Sequence, residues 1–383
     1  MQRFYFDHNA TTPVAPEVLE VVVSCLGQVY GNASSIHHFG QGAKQRLEAS
    51  RRQLASLIHS HPTELIFTSG GTEADNMAVL GVVRAAARPA HVITSAIEHP
   101  AVLAPCAQLE REGVAVTRLR VGSSGILNPD DVRRALRPET ALVSVMHANN
   151  ELGTIQPIAE IARIAREAGV PLHVDGVQAL GKIPVDVEAL SVDLYSLSGH
   201  KLYAPKGVGA LYVRKGTRMA PILFGGHHER DRRPGTENVP GIAALGAAAD
   251  LAARNLALEA ERLATLRDRL ENAVLDRIRG TGINGSRWGR TPNTSNIYFD
   301  GIDGEALVIS LDLRGFAVST GAACSSGALA PSHVLTAIGL SSDRARASMR
   351  FSLGNSNTAE QVDALVEALT VSMAHLRRIS MHA

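Results

Sequence analysis

Between residues 64 and 213, short apolar runs alternate with longer amphipathic segments, and this alternation restricts the fold more than any other feature of the chain. Short apolar runs are typical of buried strands, and apolar residues spaced three and four apart are typical of helices. Strands that alternate with helices form a mostly parallel sheet covered by helices. The predicted strands are 64–68, 91–94, 115–120, 141–147, 171–175, 193–197 and 209–213.

The remaining segments predict a second unit. Residues 240–279 are rich in Ala, Leu, Glu and Arg with helical spacing, which predicts one long helix or two consecutive ones. With 383 residues, the chain exceeds the usual size of one domain. We therefore expect a large α/β domain over 16–255, with a seven-stranded, mostly parallel sheet, and a smaller α+β domain formed by 1–15 and 256–383. The other predicted elements are helices 72–87, 100–112, 158–168, 304–313 and 358–378 and strands 293–299, 316–319 and 347–353.

Composition excludes several classes of protein. The formal net charge is +1, so there is no electrostatic case for binding nucleic acid or an anionic membrane directly. No apolar run reaches the length that spans a bilayer. The N-terminus resembles neither a secretory signal nor a transit peptide, and the expected location is the cytoplasm.

The cysteines and histidines argue against metal or disulfide chemistry. The three cysteines, Cys25, Cys106 and Cys324, are widely spaced, which suits a reducing compartment and excludes a disulfide framework or a cysteine-based zinc cluster. The histidines lack dependable metal-ligand spacing, and no metal is expected. Cys25 and Cys106 lie on helical patterns among apolar residues, where most cysteines are buried and inert.

Two predicted strands lead to residues with reactive side chains. Asp175 ends the strand 171–175, and Lys201 follows shortly after the strand 193–197. Ligands of open parallel sheets gather at the carboxyl ends of the strands. Pyridoxal phosphate enzymes need such a pair, because the amine bonds the cofactor aldehyde and the carboxylate pairs with the protonated pyridine nitrogen. The pair therefore predicts a pyridoxal phosphate site.

Other strand ends supply groups that suit the same cofactor. Gly71 and Thr72 lie in a glycine turn that opens a helix, where backbone N–H groups would hold a phosphate; an ordinary helix N-cap at Thr72 is the alternative. His99 precedes a helix and is either structural or stacked on a planar ring. Asn150 offers an amide for a carboxylate or a ring oxygen, and Gln178 lies one turn beyond Asp175. Each signal is weak alone, but together they favour one cofactor site.

Cys324 and Arg350 lie in the second unit. Small residues and glycines surround Cys324, so it is either a small residue in a turn or, beside a pyridoxal site, an accessible nucleophile. Arg350 lies in a strand-like run, where a buried arginine needs a partner. A substrate carboxylate would be one partner, and an internal aspartate is the alternative.

These residues belong to motifs that resemble the cysteine desulfurases of the NifS/IscS group, class V aminotransferase-like pyridoxal phosphate enzymes of fold type I. The resemblance covers nearly the whole chain. Its motifs, in order, are FDHNATTP at 6–13, GNASSIH at 31–37, SGGTE at 69–73, EH at 98–99, HANNE at 147–151, HVD at 173–175, SGHK at 198–201, RPGT at 233–236, the cysteine at 324 and RFSLG at 350–354.

The resemblance implies a role for each cofactor residue. Lys201 bonds pyridoxal 5′-phosphate and later moves the substrate α-proton. Asp175 pairs with the ring nitrogen, Gln178 and Asn150 contact the ring substituents, and His99 stacks on the ring and takes part in catalysis. The implied phosphate ligands are Gly71, Thr72, Ser198 and His200 of one chain and Thr236 from the other subunit of a homodimer.

The resemblance also implies the reaction. Asn150, Arg350 and, with them, Asn9 bind the carboxylate end of L-cysteine. Cys324 takes the substrate sulfur as a persulfide, alanine is released, and the sulfur passes to an acceptor protein for iron–sulfur cluster assembly or another thiolation pathway. Three alternatives stay open: a selenocysteine lyase, another lyase or transaminase of the same fold with no use for Cys324, and a sulfur-carrier platform whose slow catalysis depends on a partner.

Overall fold

The computed structural model describes residues 2–86, 89–320 and 331–380. The strands in these ranges are β1 Phe4–Tyr5, β2 Leu65–Thr68, β3 His91–Ser95, β4 Ala115–Leu119, β5 Thr140–Met146, β6 Leu172–Asp175, β7 Leu194–Ser198, β8 Gly209–Val213, β9 Thr281–Ile283, β10 Thr294–Phe299, β11 Phe316–Ala317, β12 Ser319–Thr320 and β13 Ser348–Ser352. The helices are α1 Pro16–Gln28, α2 His38–Leu57, α3 Gly71–Ala85, α4 Pro100–Arg111, α5 Pro129–Ala135, α6 Ile158–Glu167, α7 Val239–Arg277, α8 Gly304–Asp312, α9 His333–Ala337, α10 Ser342–Arg346 and α11 Ala359–Ser380.

A seven-stranded sheet forms the centre of the larger part of the protein. Its strand order is β2-β8-β7-β6-β5-β3-β4, and β8 alone runs antiparallel to its two neighbours. All seven predicted strands are present within one or two residues, which confirms the mostly parallel α/β sheet. Every strand except the edge strand β4 is almost wholly buried, as expected for strands with helices on both faces.

The smaller sheet is antiparallel and has the order β12-β13-β10-β9. The single strand predicted at 316–319 is wrong in detail, because the chain there divides between two sheets. β11 pairs with β1 in a separate two-stranded sheet, whereas β12 pairs with β13. Alternation of apolar residues identifies extended chain but not its pairing partner, so this switch of sheets is not visible in the local pattern.

One continuous helix of 39 residues, α7, connects the two sheets. Its first half buries residues such as Leu245 and Ala249 in the core of the large sheet, and its second half buries residues such as Leu270 and Val274 beside Phe299. We propose that the domain boundary falls between these halves, near residues 255–256. Among the described helices, α7 alone is long and apolar enough to cross a bilayer, but 44% of its most apolar window is buried within the protein, as in a core helix.

Five of the described helices were not among the predicted elements, namely α1, α2, α5, α9 and α10, and α1 and α2 are the longest of them. α2 lies along α7, and its buried residues, including Leu47 and Leu54, extend the core of the large sheet. α1 begins with Pro16 at a favoured first-turn position. It leaves Leu19, Val23 and Leu26 more than half exposed, so its apolar residues do not form a single core-facing stripe.

Candidate active site

A cavity of about 230 Å³ opens where the carboxyl ends of the parallel strands meet. Eleven residues proposed from the sequence line it: Asn9, Gly71, Thr72, His99, Asn150, Asp175, Gln178, Ser198, His200, Lys201 and Arg350. Of the other two proposed residues, one does not line the cavity and one lies outside the described residues. Thr236 is exposed on the same chain, and Cys324 lies in 321–330, outside the described residues.

Asp175 is the last residue of β6 and is 6% exposed. Its Oδ1 accepts a hydrogen bond of 3.0 Å from the Val177 N–H. Burial, with the neighbouring Asp75 charge as a second cause, raises the pKa of Asp175 to about 7. A buried acid of this kind is stabilised in its charged form by a cation in the cavity, and a protonated ring nitrogen would supply one.

Lys201 lies in the short helical turn that directly follows β7. Its Nζ donates hydrogen bonds to the backbone carbonyl of Ala10, at 2.6 Å, and to that of Asn9. These carbonyls belong to the N-terminal segment, which lies near the start of α1 and far from Lys201 in the sequence. These two carbonyls therefore hold the amine at the edge of the cavity, and a rotation of the Lys201 side chain would break both hydrogen bonds.

The start of α3 forms one end of the cavity. Its N-cap residue is Gly70 and has no side-chain capping bond, so the alternative of Thr72 as an ordinary N-cap is wrong. A Cβ built on Gly71 would lie 2.7 Å from Val177 Cγ2, too close for any residue with a side chain. The result is a concave surface of free N–H groups at a helix N-terminus, beside the Thr72 and Ser198 side chains, which suits a phosphate.

His99 and His200 line the cavity as neutral rings. His99 is the N-cap of α4, and its Nδ1 accepts a hydrogen bond of 3.1 Å from the Ala101 N–H, which leaves the proton on Nε2. Burial, then the charge of Lys201, lowers the pKa of each ring to about 4. A neutral imidazole can stack on an aromatic cofactor without adding a second buried charge.

Asn9 lines the cavity, but its side chain is already fully hydrogen-bonded to other parts of the protein. Its side-chain amide donates to the Asn150 carbonyl and to Thr294 Oγ1, and its Oδ1 accepts from Lys182 and Asn293. All the hydrogen-bonding positions of an asparagine side chain are thereby occupied. Its role in binding substrate stays a prediction, which these contacts do not favour.

Gln178 contacts Asn9 and Lys182. Its Nε2 donates to the Asn9 carbonyl at 3.0 Å, and its Oε1 accepts from Lys182 Nζ. The second N–H of the Gln178 amide is the donor that a ring oxygen could use. Lys182 itself was not predicted: it is buried, and burial together with the Lys201 charge lowers its pKa well below the ordinary value.

Arg350, on β13, is 1% exposed and brings the smaller sheet to the cavity. One Nη donates to Asp7 Oδ1 at 2.7 Å, and the other to the Asn150 carbonyl at 3.1 Å. The internal arginine–aspartate pair considered in the sequence analysis is thus present. Its Nε has no hydrogen-bond partner among the described residues, so one buried donor is still available.

Three buried acids around the cavity were missed by sequence reasoning. Asp75 lines the cavity beside Asp175, and Glu98 and Glu151 immediately adjoin the lining residues His99 and Asn150. Burial raises the pKa of Asp75 to about 7, of Glu98 to about 8 and of Glu151 to about 7. A signal existed for Asp75, because it lies on the same face of α3 as the buried Ala78 and Val79, where an acid is unusual.

The donors fit a pyridoxal cofactor: a strand-end lysine, a buried acid able to pair with a cation, a neutral histidine and an anion-binding helix start. A mostly parallel sheet with this set at its carboxyl edge defines the class, which is that of fold-type I pyridoxal phosphate enzymes.

Comparison with known proteins agrees with this class. Residues 4–365 match the aminotransferase class V family. The cysteine desulfurase IscS of Dictyoglomus turgidum is 48% identical over 99% of this chain and 96% of its own length. A solved NifS-like protein superposes with a TM-score of 0.93 at 36% identity, covering 98% of this chain and all of the other. The structure of SspA in complex with cysteine superposes with a TM-score of 0.82 at 36% identity, covering 91% and 98% of the two chains.

The chain therefore belongs to the aminotransferase class V family and, within it, to the cysteine desulfurases. Enzymes of this family depend on pyridoxal 5′-phosphate.

Proposed function

We propose that this protein converts L-cysteine to L-alanine and forms a persulfide on Cys324. The observation that carries the proposal is the cavity in which Lys201, Asp175, His99 and Arg350 converge. The desulfurase relatives, and the cysteine bound in one similar structure, support the choice of substrate.

Cofactor binding is proposed for the residues that line the large-sheet side of the cavity. The start of α3, with Thr72, Ser198 and His200, would hold the phosphate, and Asp175 would pair with the ring nitrogen. When bound, pyridoxal phosphate withdraws electrons from the substrate α-carbon and so weakens the bonds around it. Asp175 would keep the ring nitrogen protonated, because its buried carboxylate needs a cation to compensate its charge.

Substrate binding is proposed for the smaller-sheet side. Arg350 would bind the substrate carboxylate through its remaining donors, since Asp7 and the Asn150 carbonyl already hold two of its nitrogens in place. Lys201 Nζ would take the proton from the substrate α-carbon and return one to the β-carbon of the product. His99 would cover the ring face and carry a proton on Nε2.

Sulfur transfer is proposed for Cys324. Its sulfur attacks the substrate sulfur, the substrate Cβ–S bond breaks and an S–S bond forms, and Cβ takes a proton. One L-cysteine and one thiol thus give one L-alanine and one persulfide without an added oxidant or reductant. The other cysteines are unsuited to this role: Cys25 and Cys106 are fully buried, and burial raises the pKa of the Cys106 thiol to about 12.

The assembly is proposed to be a cytoplasmic homodimer in which Thr236 completes the phosphate site of the other subunit. Thr236 is exposed and does not line the cavity of its own chain, and α1 exposes apolar side chains that a second subunit would cover. The acceptor of the persulfide would be an iron–sulfur scaffold or a thiolation enzyme.

The test measures alanine and sulfide released from L-cysteine and a reductant by wild-type, Cys324→Ala and Cys106→Ala enzymes. We expect Cys324→Ala to keep its bound cofactor, seen by its absorbance, and to release neither product, while Cys106→Ala stays active. Wild-type activity in Cys324→Ala would contradict the proposed function and favour a lyase or transaminase that does not use this thiol.

A further inference from the structure

The residues that follow segment 321–330 are hydrogen-bonded to the loops after two strands of the large sheet, next to residues that line the cavity. Ser332, 5% exposed, caps α9: its Oγ accepts hydrogen bonds from the N–H groups of Val334 and Leu335. The same hydroxyl donates to Glu151 Oε2 at 2.6 Å. Glu151 directly follows Asn150, which lines the cavity. One serine thus joins the start of α9 to the turn that follows β5, 181 positions away in the sequence.

A second tie runs from the next residue. His333 Nε2 donates to the backbone carbonyl of Glu98 at 2.9 Å. Glu98 directly precedes His99, which also lines the cavity. The two ties therefore reach the neighbours of two different cavity residues, one after β3 and one after β5.

Apolar packing reinforces both ties. Val334 and Leu335 of α9, with its C-cap residue Ile338, form a small core with Met146 at the end of β5 and with Ile97 and Leu152 in the segments that follow β3 and β5. Met146 lines the cavity itself. α9 is therefore docked on the rim of the cavity by two hydrogen bonds and a patch of buried apolar surface.

Helix capping alone does not account for Glu151. The neighbouring helix α10 is of the same length and is also capped by a serine: Ser341 Oγ accepts from the Arg344 N–H and has no acidic partner within the part of the chain that the structure describes. Burying a carboxyl group costs stability unless a specific contact offsets it. The serine cap of α10 forms without an acid, whereas the serine cap of α9 is bonded to Glu151. α9 is the helix that begins shortly after the segment containing Cys324.

We propose that Ser332, Glu151 and His333 are positioning residues for sulfur transfer: they fix the residues that directly follow the segment carrying Cys324 to the loops after β3 and β5, beside cavity residues His99 and Asn150. The proposal rests on the proposed function of Cys324. Its physical basis is that displacement at a sulfur atom requires the attacking and leaving groups to be in line, and misplacement by about 1 Å can slow such a step by about a hundredfold.

The experiment uses holoenzyme and compares Ser332→Ala with the matched control Ser341→Ala, since each loses one helix cap and only the first loses the tie to Glu151. Rapid quenching, alkylation and mass spectrometry give the rate of persulfide formation on Cys324 in a single turnover. The absorbance change of the bound cofactor on adding L-cysteine gives substrate affinity separately.

We expect Ser332→Ala to slow persulfide formation by on the order of tenfold to a hundredfold with unchanged affinity for L-cysteine, and Ser341→Ala to match wild type. Glu151→Gln keeps an oxygen acceptor for the serine and should be slowed less than Glu151→Ala. The Ser332→Ala/Glu151→Ala double variant should be no slower than the slower single variant, because both act through one contact.

Several outcomes would overturn the proposal: wild-type persulfide formation in Ser332→Ala, equal slowing in Ser341→Ala, or loss of substrate affinity in parallel with the rate. If Ser332→Ala fails to fold, His333→Asn provides a second test, because His333 is exposed and its substitution removes only the hydrogen bond to the Glu98 carbonyl. A wild-type rate of persulfide formation in that variant would also overturn the proposal. Failure of the proposed function is distinguishable, because it would appear as an active Cys324→Ala enzyme.

Discussion

At the scale of single residues, the cavity is surrounded by carboxyl groups that hold their protons unusually tightly. Burial is the first cause of the raised pKa of Asp75, Glu98, Glu151 and Asp175. Glu98 is the most perturbed of the four, with a pKa of about 8. It is fully buried, and its Oε1 accepts from the Met146 N–H and Ser95 Oγ, whereas its Oε2 has no partner among the described residues.

The raised pKa of Glu98 predicts a pH-dependent effect of Glu98→Gln on stability. Between the ordinary value of 4.5 and about 8, the folded protein keeps a proton on Glu98 that the unfolded chain has released. The stability that this group contributes is therefore present below pH 4.5 and is lost as the pH rises towards 8. Glutamine cannot ionise, so the melting temperature of Glu98→Gln relative to wild type should increase from pH 5 to 8.

The matched control is Glu110→Gln, on the next helix. Glu110 is paired with Arg118, and that hydrogen bond is the first cause of its lowered pKa. Its proton equilibrium therefore lies below pH 4.5, and the difference from wild type should be flat from pH 5 to 8. A flat difference for Glu98→Gln as well would show that its carboxyl group ionises normally in the folded protein.

At the scale of elements, α7 is held to the smaller sheet by a buried ion pair. Glu271 on this helix accepts two hydrogen bonds of 2.6 Å from Arg290, in the loop between β9 and β10. The two side chains are 1% and 3% exposed. The backbone next to Arg290 also forms a hydrogen bond with the backbone of Ile155, so the same loop is connected to the large-sheet part of the protein.

Removal of one partner of this pair should be strongly destabilising. Glu271→Ala removes the bidentate partner of a buried guanidinium and leaves it the half-exposed Asp268, 3.9 Å away, and we expect the free energy of unfolding in urea to fall by about 3–5 kcal/mol. The control is Asp363→Ala, which removes a bidentate pair with Arg269 on the same helix where both side chains are about half exposed. That loss should be much smaller than the loss in Glu271→Ala, because solvent screens an exposed ion pair, and equal losses in the two variants would contradict the argument from burial.

At the scale of the whole molecule, the proposed homodimer makes a prediction for mixed subunits. Lys201→Ala and Thr236→Val enzymes should each be nearly inactive alone. If Thr236 acts in the site of the other subunit, a hybrid dimer contains one site with both defects and one intact site. Unfolding and refolding a mixture should then restore roughly a quarter of wild-type activity, as random pairing of subunits requires.

The opposite arrangement gives a different result. If Thr236 serves only its own chain, every site in the hybrid carries one defect, and mixing restores nothing. Sedimentation of the mixture confirms that dimers have formed, so an inactive mixture of dimers would exclude a site shared across the interface.

The sequence by itself determined where the cofactor residues lie relative to the large sheet. Apolar runs set the strands, the alternation with helices made them parallel, and parallel strands bring Asp175, His99 and Lys201 to one edge. These relationships are local or follow from general rules of chain direction, so they could be read without a structure. The burial of Cys25 and Cys106 was predictable for the same reason and is confirmed.

Only the tertiary structure decided which distant residues support that edge. Asn9 contacts the Asn150 carbonyl 141 positions away, and Arg350 pairs with Asp7 343 positions away. Ser332 meets Glu151 through the docking of α9, and burial, with the Lys201 charge as a second cause, lowers the pKa of Lys182 well below its ordinary value. The spacing of apolar residues records which face of each element is buried. It does not record which other element covers that face, and the partners, burial and proton affinities of these side chains depend on that packing.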